Sequence, residues 1–203
     1  MNSAAMTGAS MPPSGVILIT GPARSGKSEW AEALAAASGL PVTYIATACR
    51  DPSDPDWEAR LLAHAARRPS AWQTQEVPIA LPEAVCPNSD RPGAGCLLVD
   101  SLGTWTANLL DREEPHWQEC VDTLLQNLQK RQQQPEALTI LVAEETGWSV
   151  VPAYPAGRKF RDRLGKLTRQ IAAYADCTFL IAGGHALNLS RLGVPLPRKL
   201  EKP

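Results

Sequence analysis

The residues Gly21-Pro22-Ala23-Arg24-Ser25-Gly26-Lys27-Ser28 carry the G-x-x-x-x-G-K-[ST] spacing of a Walker A loop. Glycines let such a loop wrap closely and aim backbone N–H groups at phosphate oxygens. Lys27 supplies a cation to the β- and γ-phosphates, and the Ser28 hydroxyl suits Mg²⁺. The apolar run 16–20 precedes the loop and a helix-forming stretch follows it, which is the strand-loop-helix order that phosphate binding requires. The spacing predicts a site for a nucleoside triphosphate.

A second group of reactive side chains lies on 56–67, where helical steps of three and four bring Arg60, His64, Arg67 and Arg68 together before Pro69. Three guanidiniums around one imidazole would disfavour its protonated form and hold a triphosphate, so His64 is a candidate nucleophile toward phosphorus. The competing reading is a surface helix that happens to carry one histidine among arginines. Only three histidines are present; His116 and His185 read as cap or loop residues. A third element is Leu97-Leu98-Val99-Asp100, an apolar strand ending in a carboxylate, expected beside the Walker A strand with Asp100 reaching Mg²⁺. Asp100 also reads as a helix N-cap. The D-x-x-G of a switch GTPase is spelled by residues 100–103, but no N-K-x-D follows.

These groups must be held by a scaffold. The chain has 203 residues, 44% of them hydrophobic and 20% charged, which suits one compact domain. A formal charge of −1 provides no field for nucleic acid or acidic membranes. The five cysteines are widely spaced without a C-x-x-C pair, as for reduced thiols. Residues 1–14 lack the basic and apolar regions of a signal peptide, and no stretch approaches a membrane span, so a soluble cytoplasmic protein is expected. Strand candidates at 16–20, 42–46, 71–77, 96–100, 138–143 and 177–182 alternate with helix candidates at 27–38, 56–67, 102–111, 116–133 and 157–175. Strand 177–182 is taken as the last. Proline and glycine break the pattern at 51–55, 86–95 and 151–157. On the helix near 158–171, Phe160, Leu164, Leu167 and Ile171 form one apolar face. The surrounding basic residues are read as solvated, except Arg161. Trp57, Trp72 and Trp105 are read chiefly as packing residues. This alternation predicts an α/β fold with a mostly parallel sheet. A flexible head is expected over 1–15, the main domain over 16–184, and an extension of unknown role over 185–203.

The Walker A loop, Tyr44-Ile45-Ala46-Thr47-Ala48, residues 60–69 with Trp72-Gln73-Thr74-Gln75-Glu76 behind them, and Leu98-Val99-Asp100 with Trp105 and Asn108 follow in an ordered series. Leu141-Val142 with Glu145 and Gly147, Val150-Val151-Pro152 and Phe160-Arg161-Asp162 continue it. Over about 16–184 this series resembles the bifunctional adenosylcobinamide kinase / adenosylcobinamide-phosphate guanylyltransferase family. The resemblance implies a P-loop NTPase (RecA-like) three-layer fold. It further implies a cytoplasmic enzyme of cobalamin biosynthesis or salvage that phosphorylates adenosylcobinamide with ATP or GTP in the presence of Mg²⁺. That enzyme then transfers GMP from GTP to adenosylcobinamide phosphate through a guanylylated histidine, which matches His64.

The nucleotide contacts implied are residues 21–28, Ala46, Thr47, Ala48, Ala65, Ala66, Arg67, Arg68, Glu76 and Asp100, and a homotrimer is implied as the assembly. Three positions depart from the family pattern: Ala65 where a basic residue is common, Gly103 for a usual threonine, and Glu144 where asparagine is usual. The sequence identifies no general base for the kinase step. Two rival functions are a single-activity kinase of another small metabolite and a nucleotide-dependent switch or assembly factor, neither of which would retain GMP on His64.

Overall fold

The computed structural model describes residue 12, residues 14–87 and residues 94–196. Most of the expected head, the middle of the 86–95 break and the tail from Pro197 lie outside the described residues.

Six strands are parallel: β1 (Gly15–Gly21), β2 (Val42–Ala46), β3 (Gln73–Glu76), β4 (Gly95–Asp100), β5 (Ala137–Glu144) and β6 (Cys177–Ala182). The central ones read as unbroken apolar runs because helices cover both faces. Side-chain alternation divides each strand between two cores. Val16 and Leu18 join Leu97, Val99 and Leu141 under α3 (Leu81–Val85), α4 (Leu102–Asn108), α5 (Glu114–Gln132) and α6 (Pro155–Ala172). Ile17 and Ile19 join Leu98, Ile140 and Val142 under Ala31, Leu34 and Ala35 of α1 (Lys27–Ala37). The result is three layers, helix on sheet on helix.

The strand order is β3-β2-β4-β5-β1-β6-β7. This corrects the expectation that the strand ending at Asp100 lies beside the Walker A strand: β4 pairs with β2 and β5, and β5 pairs with β1. The seventh strand, β7 (His185–Asn188), runs antiparallel to β6, so the sheet continues beyond residue 184, where the extension was expected to start. Gly183 and Gly184 have φ of 57° and 78°, the left-handed pair that a two-residue hairpin demands. A short α7 (Leu189–Leu192) follows.

Helix α4 ends at Asn108, before the expected 111. Arg163, expected to be solvated, is buried, and its guanidinium donates to the carbonyls of Leu109, Leu110 and Arg112 at 2.8–3.2 Å. Those carbonyls are satisfied without further helix. Leu164, Leu167 and Ile171 are buried as their spacing predicted, with Phe160 packed at the edge. All five cysteines are free, and burial pushes the Cys96 thiol up to about 12.

Helix α2 (Pro55–Ala66), like the short α7, has no buried residue. Local bonds hold it: Asp54 Oδ1 accepts from the Trp57 N–H at 2.9 Å, Trp57 Nε1 donates to the Cys49 carbonyl at 2.8 Å, and Arg50 pairs with Glu58 at 2.7 Å.

Candidate active site

At the carboxyl end of β1 the chain turns through the Walker A loop into α1. Gly26, with φ 90°, stands at the helix N-cap and offers no side chain to the first-turn N–H groups, which leaves them directed at a ligand. Lys27 is largely buried, and its Nζ lies 3.5 Å from the Pro22 carbonyl. The loop forms one wall of a cavity of about 680 Å³, and α2 forms the facing wall with Trp57, Arg60, His64, Arg67 and Arg68.

The floor is built by alternation. On β2, β4 and β5 the residues facing α1 include Tyr44, Leu98 and Val142, and the same parity carries Asp100 and Glu144 to the strand ends. Asp100 Oδ2 accepts a hydrogen bond from the Tyr44 hydroxyl at 2.7 Å and lies 3.9 Å from His64 Nδ1. Burial, then the Asp100 carboxylate, push the Tyr44 hydroxyl far up, so it remains a donor. The Arg67 guanidinium reaches His64 Nδ1 at 3.3 Å and also pairs with Glu32 at 3.3 Å and Glu29 at 3.6 Å on α1. Arg68 instead lies on the Tyr44 ring, with Cζ 3.6 Å from the centroid. The surroundings of His64 are therefore not the purely cationic cluster that helical spacing predicted. Long-range folding adds a carboxylate, and one of the three guanidiniums is stacked on a neighbour.

Of the residues expected at the nucleotide, Ala23, Arg24, Ser25, Gly26, Lys27, Ser28, Ala46, Ala48, His64, Arg67, Arg68 and Asp100 line this single cavity. Gly21, Pro22, Thr47, Ala65, Ala66 and Glu76 are not part of its wall. Thr47 is buried and works structurally: its Oγ1 donates to the Ser101 carbonyl at 2.6 Å and accepts from the Ser101 N–H at 2.8 Å. It ties the end of β2 to the turn after β4. Ala65 and Ala66 are exposed, and Glu76 is exposed at the end of β3.

Glu144 is a cavity residue that was noted only as a departure from the family pattern. It ends β5, opposite Gly21 in register, between the Walker A strand and Asp100. Its side chain occupies the space left by Gly103, where a Cβ would lie only 2.7 Å from its Cδ. Burial raises its carboxyl above the ordinary range, against the opposing pull of Lys27. Its Oε2 is buried without a hydrogen-bond partner. The missing clue was strand order, because the expected β1–β4 neighbourhood left no place for a residue from β5.

Among the described residues no three His, Cys, Asp or Glu side chains form a cage for a metal ion. That suits Mg²⁺, which is held by one or two carboxylates, waters and substrate phosphates. Hard oxygen donors on the cavity wall include the Ser28 hydroxyl, the Asp100 carboxylate and Glu144 Oε2, which has no hydrogen-bond partner.

A mostly parallel sheet with a phosphate loop after β1 and acidic side chains at the nearby strand ends defines a P-loop fold of RecA-like type. The fold resembles the solved structure of a Pyrococcus horikoshii OT3 protein, with a TM-score of 0.54 and 10% identity, covering 93% of this chain and 92% of that one. Residues 17–189 match the profile of the cobinamide kinase / cobinamide phosphate guanyltransferase family, and the chain belongs to that family. It is 42% identical over 167 residues to the bifunctional adenosylcobalamin biosynthesis protein CobP of Pseudomonas aeruginosa, covering 82% of this chain and 92% of that relative. It is 34% identical over 179 residues to the bifunctional protein CobU of Escherichia coli K12, covering 83% and 96%.

Proposed function

We propose that this protein is a bifunctional enzyme of cobalamin assembly. It phosphorylates the aminopropanol hydroxyl of adenosylcobinamide with ATP or GTP, then transfers GMP from GTP to the new phosphate and releases pyrophosphate. The observation that carries the reading is the position of His64, which shares one cavity with Lys27 of the phosphate loop and has Asp100 3.9 Å from Nδ1. Family membership disfavours a single-activity kinase or a switch factor.

In the first step the substrate hydroxyl attacks the γ-phosphorus and the bond to the β-phosphate oxygen breaks. Lys27 and the α1 N–H groups offset the charge that develops on the phosphates. In the second, an imidazole nitrogen of His64 attacks the α-phosphorus of GTP and pyrophosphate departs with the bonding pair. The substrate phosphate then attacks the phosphoramidate and returns the imidazole. Mg²⁺, held by Ser28 and Asp100, would neutralise phosphate charge and polarise the leaving group.

The protein acts in the cytoplasm, in keeping with the absence, among the described residues, of any helix long and apolar enough to cross a membrane. It assembles as a homotrimer; the exposed apolar residues Leu62, Trp148, Val150, Tyr154 and Leu192 support an oligomer.

The test is labelling. With Mg²⁺ and α-labelled GTP the protein should retain acid-labile, base-stable label, and none from γ-labelled GTP. His64→Ala should lose GMP transfer while it still phosphorylates adenosylcobinamide. Turnover to adenosylcobinamide-GDP without any protein-bound GMP would refute the histidine intermediate.

A further inference from the structure

Two groups of opposite character face one nitrogen of His64, one bonded to it and one just beyond reach. Arg67 is always a donor, so its 3.3 Å contact with Nδ1 requires a lone pair there and places the single ring proton on Nε2. In that tautomer neither nitrogen can attack phosphorus, since one is capped and the other protonated. Asp100 Oδ2 lies 3.9 Å from the same nitrogen, outside hydrogen-bond reach; as an acceptor it would on closer approach favour the opposite arrangement, with Nδ1 protonated and the Nε2 lone pair free. That oxygen is not free to turn away. The buried Tyr44 hydroxyl donates to it at 2.7 Å, and the Tyr44 ring is itself covered by Arg68.

We propose that Tyr44 is a positioning residue for guanylyl transfer: it holds Asp100 Oδ2 toward His64, so that Asp100 takes over Nδ1 when nucleotide phosphates draw Arg67 away, and Nε2 becomes the attacking atom. Arg67 is suited to leave, because it is partly exposed, lines the same cavity as Lys27, and is otherwise tied only to Glu29 and Glu32 on the first turns of α1. The Nε2 lone pair forms the bond to the α-phosphorus, and the bond to pyrophosphate breaks with its pair on the leaving oxygen. The ring, now carrying phosphorus on Nε2 and a proton on Nδ1, is cationic. The Asp100 carboxylate offsets that charge, and attack by the substrate phosphate later returns the pair to Nε2. The empty site thus keeps its histidine unreactive, and nucleotide binding itself releases the nucleophile.

This inference rests on the histidine intermediate proposed above, and the experiment separates the two. In full-length protein labelled with ¹⁵N-histidine only three imidazoles contribute, and the His64 resonances are those lost in His64→Asn. The Nε2–H tautomer is expected without nucleotide. The Nδ1–H tautomer is expected with Mg²⁺ and α,β-methylene GTP, which resists attack at the α-phosphorus. In Tyr44→Phe, which keeps the ring under Arg68, the ratio of GMP labelling rate to phosphorylation rate in one preparation should fall about 10- to 100-fold, as for loss of one hydrogen bond to a charged acceptor. Damage to the fold, or to the hold of Asp100 on Mg²⁺, would lower both rates and leave the ratio; only loss of the contact with His64 lowers the ratio itself. Wild-type protein that turns over without protein-bound GMP overturns the intermediate and this inference with it. Wild-type labelling together with an unchanged Tyr44→Phe ratio, or with the same His64 tautomer in both states, overturns the inference alone. The tautomer measurement does not use Tyr44→Phe and holds whether or not that variant folds.

Discussion

Gly103 and Glu144 are far apart in the chain and share one volume, so substituting Gly103→Ala asks how firmly the carboxylate is seated. Within a helix, alanine gains about 1 kcal/mol over glycine. The added methyl would overlap Glu144 Oε2 and come within 2.7 Å of its Cδ, so the side chain must leave its slot. Forcing a fitted group aside costs about 1–3 kcal/mol, and the net effect is a loss of up to about 2 kcal/mol. With Glu144→Ala already in place the slot is empty, and Gly103→Ala should stabilise by about 1 kcal/mol. The coupling read from the four proteins is then about 1–3 kcal/mol, within the range seen for residues in direct contact. Urea denaturation of wild type, both single variants and the double variant measures it. Each kcal/mol should also move Tm by about 2–4 °C for a chain of this size. If Gly103→Ala changes stability by the same amount and sign in both backgrounds, Glu144 does not occupy that slot and the reconstruction of the cavity floor is wrong.

Glu144 also makes stability depend on pH. Burial holds its folded carboxyl above the ordinary value of 4.5, so the folded chain retains a proton that the unfolded chain has released. Relative to Glu144→Gln, wild-type stability should fall as pH rises from the ordinary value through the folded one; a rise over that window in paired denaturation curves would contradict the burial. Helix α2 has no buried residue and depends on its local bonds, so Asp54→Ala, which removes the N-cap, should cost about 1 kcal/mol locally. Hydrogen exchange at residues 57–66 should quicken about fivefold while the β1 and β5 amides keep their protection. Equal acceleration in the sheet would show that α2 is an integral part of the global fold.

The local parts of the site were legible because each is written contiguously. The Walker A loop needs only eight successive residues, and the grouping of His64 with Arg67 needs only helical steps of three. Alternation of apolar runs with helical patterns also suffices for the layers, and observed boundaries differ from those expected by a few residues. The misses share one cause, which is long-range placement. Thr47 sits within the motif region yet is spent on Ser101, because the sheet brings the end of β2 against the turn after β4. Strand β7 falls in the expected extension because its only local sign is a pair of glycines, and its pairing with β6 lends it stability that four residues, three of them exposed, lack alone.

Read alone, the chain determines that a triphosphate loop opens the first helix, that an imidazole and its arginines share a helix face, and that an acidic strand end follows. Each of these depends on covalent neighbours and on fixed helical or extended periods. Only the folded sheet decides that β5 is inserted between β1 and β4, bringing Glu144 to the cavity, and that Tyr44 and Asp100 meet beneath His64. Strand order reflects which apolar faces pack best across the whole molecule. No short stretch of sequence encodes that sum, and for this reason the chemical identity of the site is local whereas its proton arrangement is tertiary.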